Sequence, residues 1–455
     1  MNSNSINDML NLSKATTADI DVPRPEGLEY MPFQKAGVAY AANTKACLFA
    51  DPMGLGKTIQ SIGTMNYLGL NRGIVACPAS LCFNWEKELL KWHVAKPKVA
   101  VLTKALKDFN GVDFLIVSYA LLSKVEWLKR IAEFGKVDIV VLDECHYLKN
   151  PKAKRTKHVL ANNGLRSFAT RVHCISGTPI VNRPIEIYPV VKALRPETID
   201  NFTYFQYAIK FCGAYKGPFG WNFNGATNLK ELGRRLRSNF MVRRKKEEVL
   251  SDLPDKTITM AYLPTGKGEN KLIQAYANFN EDELFGKRTA KVKFEELSKH
   301  RRELGIAKIP ASIDYIKTQL ECGHEKILVF AHHTEVLKGL KEGLKEFGVV
   351  EIRGATPGAE RQRAVELFQG NKGTKVFLGS ITAAGVGLTL TAGSYVIFVE
   401  PSYVPGENFQ AMDRAHRIGQ KNHVLVEFLV QPGSLDERVL KKVLEKQKNI
   451  DGVME

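Results

Sequence analysis

Both halves of the chain show the same alternation of hydrophobic and polar positions. Short, nearly unbroken apolar runs are separated by longer stretches of helical periodicity. In the first half the runs are Ala46–Ala50, Ile74–Cys77, Phe114–Val117, Val137–Leu142 and His173–Ser176. In the second they are Ile327–Phe330, Lys375–Leu378, Tyr395–Val399 and Val424–Val430. Apolar runs without strict alternation are the mark of strands covered on both faces, and the helical stretches between them supply the crossovers of parallel sheets. The pattern predicts an α/β fold built from two such sheets. Two polar, charge-rich segments, about 201–240 and about 267–305, lack strand alternation and read as helical insertions. Residues 1–24 read as a loose polar tail. The remainder divides into a first lobe, 25–256, and a second, 257–455, with the join in the region Pro254–Pro264.

Composition narrows the class. A chain of 455 residues is long for one domain and suits two or three. With 44% hydrophobic and 25% charged residues it reads as globular. No apolar run approaches the ~18 residues that span a bilayer, and the N-terminus has neither a basic start nor an apolar core, so neither membrane nor export is expected. The seven cysteines are odd in number and several fall in apolar runs, which fits small buried hydrophobes in a reducing compartment. Cys322 and His324 are the only pair with metal-ligand character, and no second pair accompanies them. The formal charge of +17 points to a polyanionic partner. Basic clusters lie at Lys149–Lys157, Arg234–Arg237, Arg243–Lys246 and Lys299–Arg302.

The candidate chemistry starts at Asp51-Pro-Met-Gly-Leu-Gly-Lys-Thr58, a glycine-rich turn between an apolar run and a helical stretch. Such a turn lets backbone N–H groups face a phosphate, and the helix N-terminus adds partial positive charge. Asp51, Met53, Gly54, Leu55, Gly56, Lys57 and Thr58 therefore form the expected nucleoside-triphosphate cradle. Lys57 would reach the β- and γ-phosphates and the Thr58 hydroxyl would hold Mg²⁺. A second element follows the run Val137–Leu142, which ends in Asp143-Glu144-Cys145-His146. A parallel strand ending in two acids places both at the carboxyl edge of the sheet, where open α/β folds bind ligands. Asp143 would share the Mg²⁺ with Thr58, and Glu144 would orient and deprotonate the attacking water.

These residues carry a resemblance. Asp143-Glu-Cys-His146 is similar to the Asp-Glu-x-His box of superfamily-two helicases, and Ser176-Gly-Thr-Pro179 resembles their third motif. Gln410-Ala-Met-Asp-Arg-Ala-His-Arg-Ile-Gly-Gln420 resembles the sixth motif of the Swi/Snf-type ATPases. Leu253, Pro254 and Lys256, after Arg243-Arg244-Lys245, resemble that family's link between lobes. The resemblance runs from about Leu28 to about Val430. It implies two RecA-like lobes with an ATP cleft between them, ATP and Mg²⁺ as cofactors, and Gln34 as the adenine-reading residue. It also implies that Ser176, Thr178 and Gln410 couple the two sites, and that Ser80, Ser118, Lys149, Gly385 and Thr389 grip the DNA backbone. Arg414 and Arg417, three apart in a stretch that reads as helical, would share one face and enter the cleft from the second lobe as arginine fingers. Three positions depart from the family pattern: Pro52, Tyr403 and Thr389.

Three functions compete at this point. The first is an ATP-driven motor on double-stranded DNA that remodels forks and four-way junctions by branch migration, regression, annealing or unwinding. The second strips or slides proteins along duplex DNA. The third is a DNA-binding regulator with a vestigial ATPase. The segments Met31–Tyr40 and Ile381–Thr389 look most like the annealing-helicase branch, and little chain follows the sixth motif to hold chromatin-reading modules. The first reading is therefore expected, for a monomer in the cytoplasm or at the nucleoid.

Overall fold

The computed structural model describes residues 3–103, 105–106, 108–217, 220–275, 291–384 and 388–454. The chain forms two compact units, one of Met1–Ser251 with Asn449–Glu455, the other of Asp252–Lys448. The join therefore falls just before Pro254, and the last seven residues belong to the first unit. None of the described helices is long and apolar enough to cross a membrane.

Unit 1 is built on β1 (Ala46–Phe49), β2 (Gly73–Cys77), β3 (Val99–Val101), β4 (Phe114–Ser118), β5 (Val137–Asp143), β6 (Ala169–Ile175) and β9 (Met241–Val242). The strands lie in the order β3-β4-β2-β5-β6-β1-β9, and every pairing is parallel. All residues of β1, β2 and β4 are buried, as the unbroken apolar runs require. The one polar interruption, Asp138 in β5, is exposed and accepts the N–H groups of Asn71 and Arg72 at 2.9 and 2.8 Å. It closes the turn that leads into β2 and costs the core nothing.

Unit 2 carries β10 (Lys256–Tyr262), β11 (Ile327–Ala331), β12 (Val349–Ile352), β13 (Val376–Ser380), β14 (Tyr395–Phe398) and β15 (Val424–Val430). They lie in the order β10-β15-β14-β11-β13-β12, again with all pairings parallel. Edge strands β10 and β12 have half-buried positions, so they lack the apolar runs that mark the central strands. Residues 256–262 thus form an edge strand where the sequence suggested a connector.

Two further segments differ from expectation. Ser3–Lys14 is a helix in the segment read as a loose tail. Met9 and Leu12, three apart, share a half-buried face, and the buried Ser13 hydroxyl donates to the Met241 carbonyl at 2.7 Å. The 201–240 insertion contains helices Tyr204–Cys212 and Leu229–Asn239, but between them lies an antiparallel hairpin of β7 (Tyr215–Gly217) and β8 (Gly220–Asn222). In the second insertion the described residues are helical, Lys267–Ala275 and Lys291–Ala307.

Candidate functional site: a phosphate loop beside two carboxylates

Three adjacent strands bring the candidate groups to one sheet edge. Phe49, Ile175 and Asp143 are cross-strand neighbours in β1, β6 and β5, so the loops after these strands leave the sheet at one level. The residues after β1 form the glycine-rich turn, and the following helix, Lys57–Leu68, begins at Lys57. Gly54 and Gly56 have φ of +91° and +69°, backbone that L side chains rarely adopt. Gly56 has a second constraint, since a Cβ there would lie 2.5 Å from Gln34 Nε2. Helix Pro32–Ala42 thus lays Gln34 directly against the loop, with its amide donating to the Leu55 carbonyl and accepting the Met31 N–H at 3.0 Å. Lys57 Nζ donates to the Pro52 carbonyl at 3.2 Å. Burial lowers the pKa of this ammonium group, and the charges of Glu144, Asp51 and Asp143 act in the opposite direction.

The acidic pair sits at the end of β5. Asp143 accepts the indole N–H of Trp85 at 2.7 Å and the N–H of Glu144 at 2.9 Å. Burial, and then the neighbouring Glu144 carboxylate, push its pKa up. Glu144 has φ of +48°, a left-handed conformation unusual for a non-glycine residue and frequent at functional sites. The Ser176 hydroxyl donates to Glu144 Oε2 at 3.1 Å and accepts the Thr178 N–H at 3.2 Å. His146 Nδ1 lies 3.2 Å from the same carboxylate oxygen and 3.0 Å from Ser176 Oγ. Glu144, His146, Ser176 and Thr178 thus form one hydrogen-bonded set that joins the loops after β5 and β6. His146 was missing from the sequence-based set, although the Asp-Glu-x-His spacing could have supplied it.

Asp51, expected in the nucleotide cradle, is held by side-chain partners. Its carboxylate is fully buried and paired with Arg244, which donates through its backbone N–H at 2.9 Å and through its side chain. Gln60 donates to the second oxygen at 2.9 Å. Burial alone would raise this carboxyl, but the Arg244 charge and these hydrogen bonds outweigh it and hold the pKa below its ordinary value. Its side chain therefore acts as a fastener beneath the loop. Arg244 also reaches the carbonyls of Phe33 and Ala15, and Arg243 reaches those of Ala50 and Gly177. The segment after β9 thereby ties the N-terminal helix, the Gln34 helix and the phosphate loop together.

This changes the reading of the basic clusters. Arg237, Arg244, Lys246 and Arg301 are buried, so parts of three clusters belong to the interior. Among the candidate DNA contacts of unit 1, Ser80 is exposed and Ser118 is buried at the end of β4. Lys149 is ion-paired with Glu186 at 3.5 Å.

In unit 2, helix Pro405–Met412 carries the buried Gln410 and stops before both candidate arginines. Arg414 and Arg417 lie in successive turns, whose N–H groups are held by the carbonyls of Ala411 and Ala415, before Gly419 at φ +97°. The expected helical face is therefore absent, yet the two guanidinium groups still converge: each donates to the Leu388 carbonyl, at 3.4 and 2.9 Å. Arg414 is 2% exposed, and burial lowers the pKa of Arg417. Thr389 is exposed, and Gly385 lies outside the described residues.

Family comparison agrees with this geometry. Residues 26–320 match the model of the SNF2-related domain, and residues 308–419 match that of the helicase conserved C-terminal domain. The chain is 36% identical over 428 residues to the SWI/SNF-related matrix-associated actin-dependent regulator of chromatin subfamily A-like protein 1 of Xenopus tropicalis, covering 93% of this chain and 44% of that protein. It is 34% identical over 423 residues to the DNA annealing helicase and endonuclease ZRANB3 of Mus musculus, covering 89% of this chain and 39% of that protein. The chain thus spans less than half the length of these relatives. A solved structure of the Sulfolobus solfataricus SWI2/SNF2 ATPase core in complex with double-stranded DNA aligns with 96% of each chain at 24% identity and a TM-score of 0.45. On the extent of the family match, the chain is a member of the SNF2-related, Swi/Snf-type superfamily-two ATPases.

Proposed function

We propose that the chain is an ATP-driven translocase on double-stranded DNA that remodels branched DNA. The observation that carries the proposal is the Glu144 constellation: a base candidate in a left-handed turn, hydrogen-bonded by Ser176, on the same sheet edge as the Lys57 loop. Glu144 would take the proton of the attacking water, and the His146–Ser176–Thr178 set would fix its orientation. Lys57 would hold the β- and γ-phosphates. The Thr58 hydroxyl and the Asp143 carboxylate are hard oxygen donors that suit Mg²⁺. The upward push on the Asp143 carboxyl fits a place where a bound cation would favour the ionised form. The ion supplies charge neutralisation at the phosphates. Gln34, laid against the loop, would hydrogen-bond the adenine edge once its contact with Leu55 is exchanged.

Arg414 and Arg417 would stabilise the charge that develops on the γ-phosphate, contributing ~10³–10⁵ in rate as arginine fingers do elsewhere. Their present bonds to the Leu388 carbonyl hold them together until a better acceptor arrives. Because they belong to the other unit, turnover would require both units, and hydrolysis would be coupled to their movement. The relatives named DNA annealing helicases support branched DNA as the substrate class. The excess of 65 Lys and Arg over 48 acids supports phosphate tracking without base readout.

The deciding experiment presents a forked duplex, a four-way junction and a linear duplex blocked by a bound protein, each with ATP. The proposal expects conversion of the fork and the junction, abolished by Lys57→Ala. Clearance of the block with both branched substrates left intact would replace it with protein displacement. Binding should also weaken steeply with added salt, by roughly 10³ or more between 50 and 200 mM for 6–10 phosphate contacts.

A further inference from the structure

The hairpin insertion of unit 1 carries an aromatic ladder that the ATPase does not use. Its root is buried: Tyr188 packs on Tyr207 and on Tyr204, with ring centroids 5.1 and 5.4 Å apart. Tyr204 continues to the buried Phe223 at 5.5 Å and to Phe205. Trp221 of β8 closes the outer end, 5.5 Å edge-to-face on Phe205 and near-parallel to Phe223 with 21° between the planes. The ladder then stops at solvent. Trp221 is 40% exposed, Phe205 49% and Tyr215 60%. The hydroxyl of Tyr215 accepts from Asn222 at 3.1 Å, which braces the hairpin beneath its ring.

An apolar outer edge alone would be mute about its partner, but the insertion that carries it is basic. Residues 201–240 hold Lys210, Lys216, Lys230, Arg234, Arg235 and Arg237 against one acid, Glu231. That acid is already taken by Lys210 and Arg235. Lys216, Lys230 and Arg234 are exposed. An aromatic edge with the exposed Lys216 as the cross-strand neighbour of Trp221, on a basic insertion, suits a ligand with flat π-faces on a phosphate backbone, since bases stack on aromatic rings whatever their identity. A protein partner with an apolar face would have no use for the cations, and duplex DNA keeps its base faces covered.

We propose that this edge, Trp221 with Phe205 and Tyr215, is a stacking platform for the unpaired bases of single-stranded DNA. The proposal deepens the branched-DNA reading, because a fork or a migrating junction exposes unpaired bases next to duplex.

The test is optical and needs no ATP. Of the four tryptophans, Trp85, Trp92 and Trp127 are buried, so Trp221 is the one a ligand can reach at the surface. The full chain, without nucleotide, is titrated with a single-stranded thymidine oligonucleotide and with a blunt duplex of equal length. Tryptophan emission is followed, with anisotropy of a labelled oligonucleotide in parallel. Quenching is expected with the single strand and not with the duplex. Trp221→Phe should abolish the quenching yet keep the affinity, because the ring remains. Trp221→Ala should weaken single-strand binding by about tenfold, the low-to-middle range for loss of one stacked base. Equal quenching by the duplex, no quenching at all, or full single-strand affinity in Trp221→Ala would overturn the platform. Quenching in a chain that fails to hydrolyse ATP would sink the motor and leave the platform standing. Hydrolysis without quenching would do the reverse.

Discussion

Units 1 and 2 share one architecture and differ in what their strand ends carry. Both are all-parallel sheets with buried central strands, and both use a fully buried ion pair as a fastener, Arg244 with Asp51 in one and Lys308 with Asp436 in the other. In unit 1, the loops after β1, β5 and β6 hold left-handed glycines, a left-handed Glu144 and a closed set of hydrogen bonds around it. Among its described residues, unit 2 has no glycine-rich phosphate loop after any of its strands. Its contribution is a pair of turns that hold two guanidinium groups on one carbonyl. The sheet supplies only a level edge, and in the proposed function a few residues just past it would let unit 1 bind phosphate and unit 2 lend charge.

The comparison can be broken at its most demanding point first. If unit 1 holds the base and the phosphate grip, Glu144→Gln should cut DNA-stimulated ATP turnover by ~10²–10⁴, measured by phosphate release. Normal turnover would remove Glu144 from the chemistry. Next in size is the fastener beneath the loop. Arg244→Met leaves Asp51 buried without its cation, and breaking a buried pair from one side costs about 3–5 kcal/mol. Urea unfolding should show this as a lowered midpoint, and loss of under about 1 kcal/mol would mean that Asp51 finds water or another partner.

The smallest effect is a pH slope. His173 in β6 is buried, and its Nδ1 lies 2.9 Å from the Ser61 hydroxyl on the phosphate-loop helix. Burial, and then Arg171, lower its pKa to about 3. The unfolded chain therefore binds a proton that the folded chain refuses, and stability falls as pH drops below about 6.5. Unit 2 has a counterpart in His332, lowered to about 4 chiefly by burial. His173→Asn should thus remove only one proton's share of the slope, ~1.4 kcal/mol per pH unit. Unfolding midpoints at pH 7, 6 and 5 would measure it. An unchanged slope would show that His173 charges without unfolding the sheet.

The elements that could be read from the chain were those in which local pattern and long-range role agree. The central strands carry unbroken apolar runs because both faces are covered, and Lys57, Asp143 and Glu144 stand where a strand gives way to a turn. Other features depend on distant partners. Arg244 reads in sequence as one member of a basic cluster, because nothing near it announces Asp51, 193 positions away. Edge strands β10 and β12 have one open side and so lack the apolar signature. The stretch around Arg414 and Arg417 has helical spacing but stops being helix at Met412, where tertiary contacts to the Leu388 loop replace the helical ladder. The hairpin β7–β8 has only three residues per strand, too short to be announced by alternation, and Trp221 of β8 packs on Phe205 and Phe223, which no local pattern signals.

The division of labour between the units is tested most directly by measuring nucleotide affinity and single-turnover ATP hydrolysis together on the Arg414→Ala, Arg417→Ala chain in the presence of duplex DNA. The account predicts nucleotide binding close to that of the parent chain and a hydrolysis rate lower by ~10³ or more. Parent-like hydrolysis, or loss of nucleotide binding in place of turnover, would contradict it.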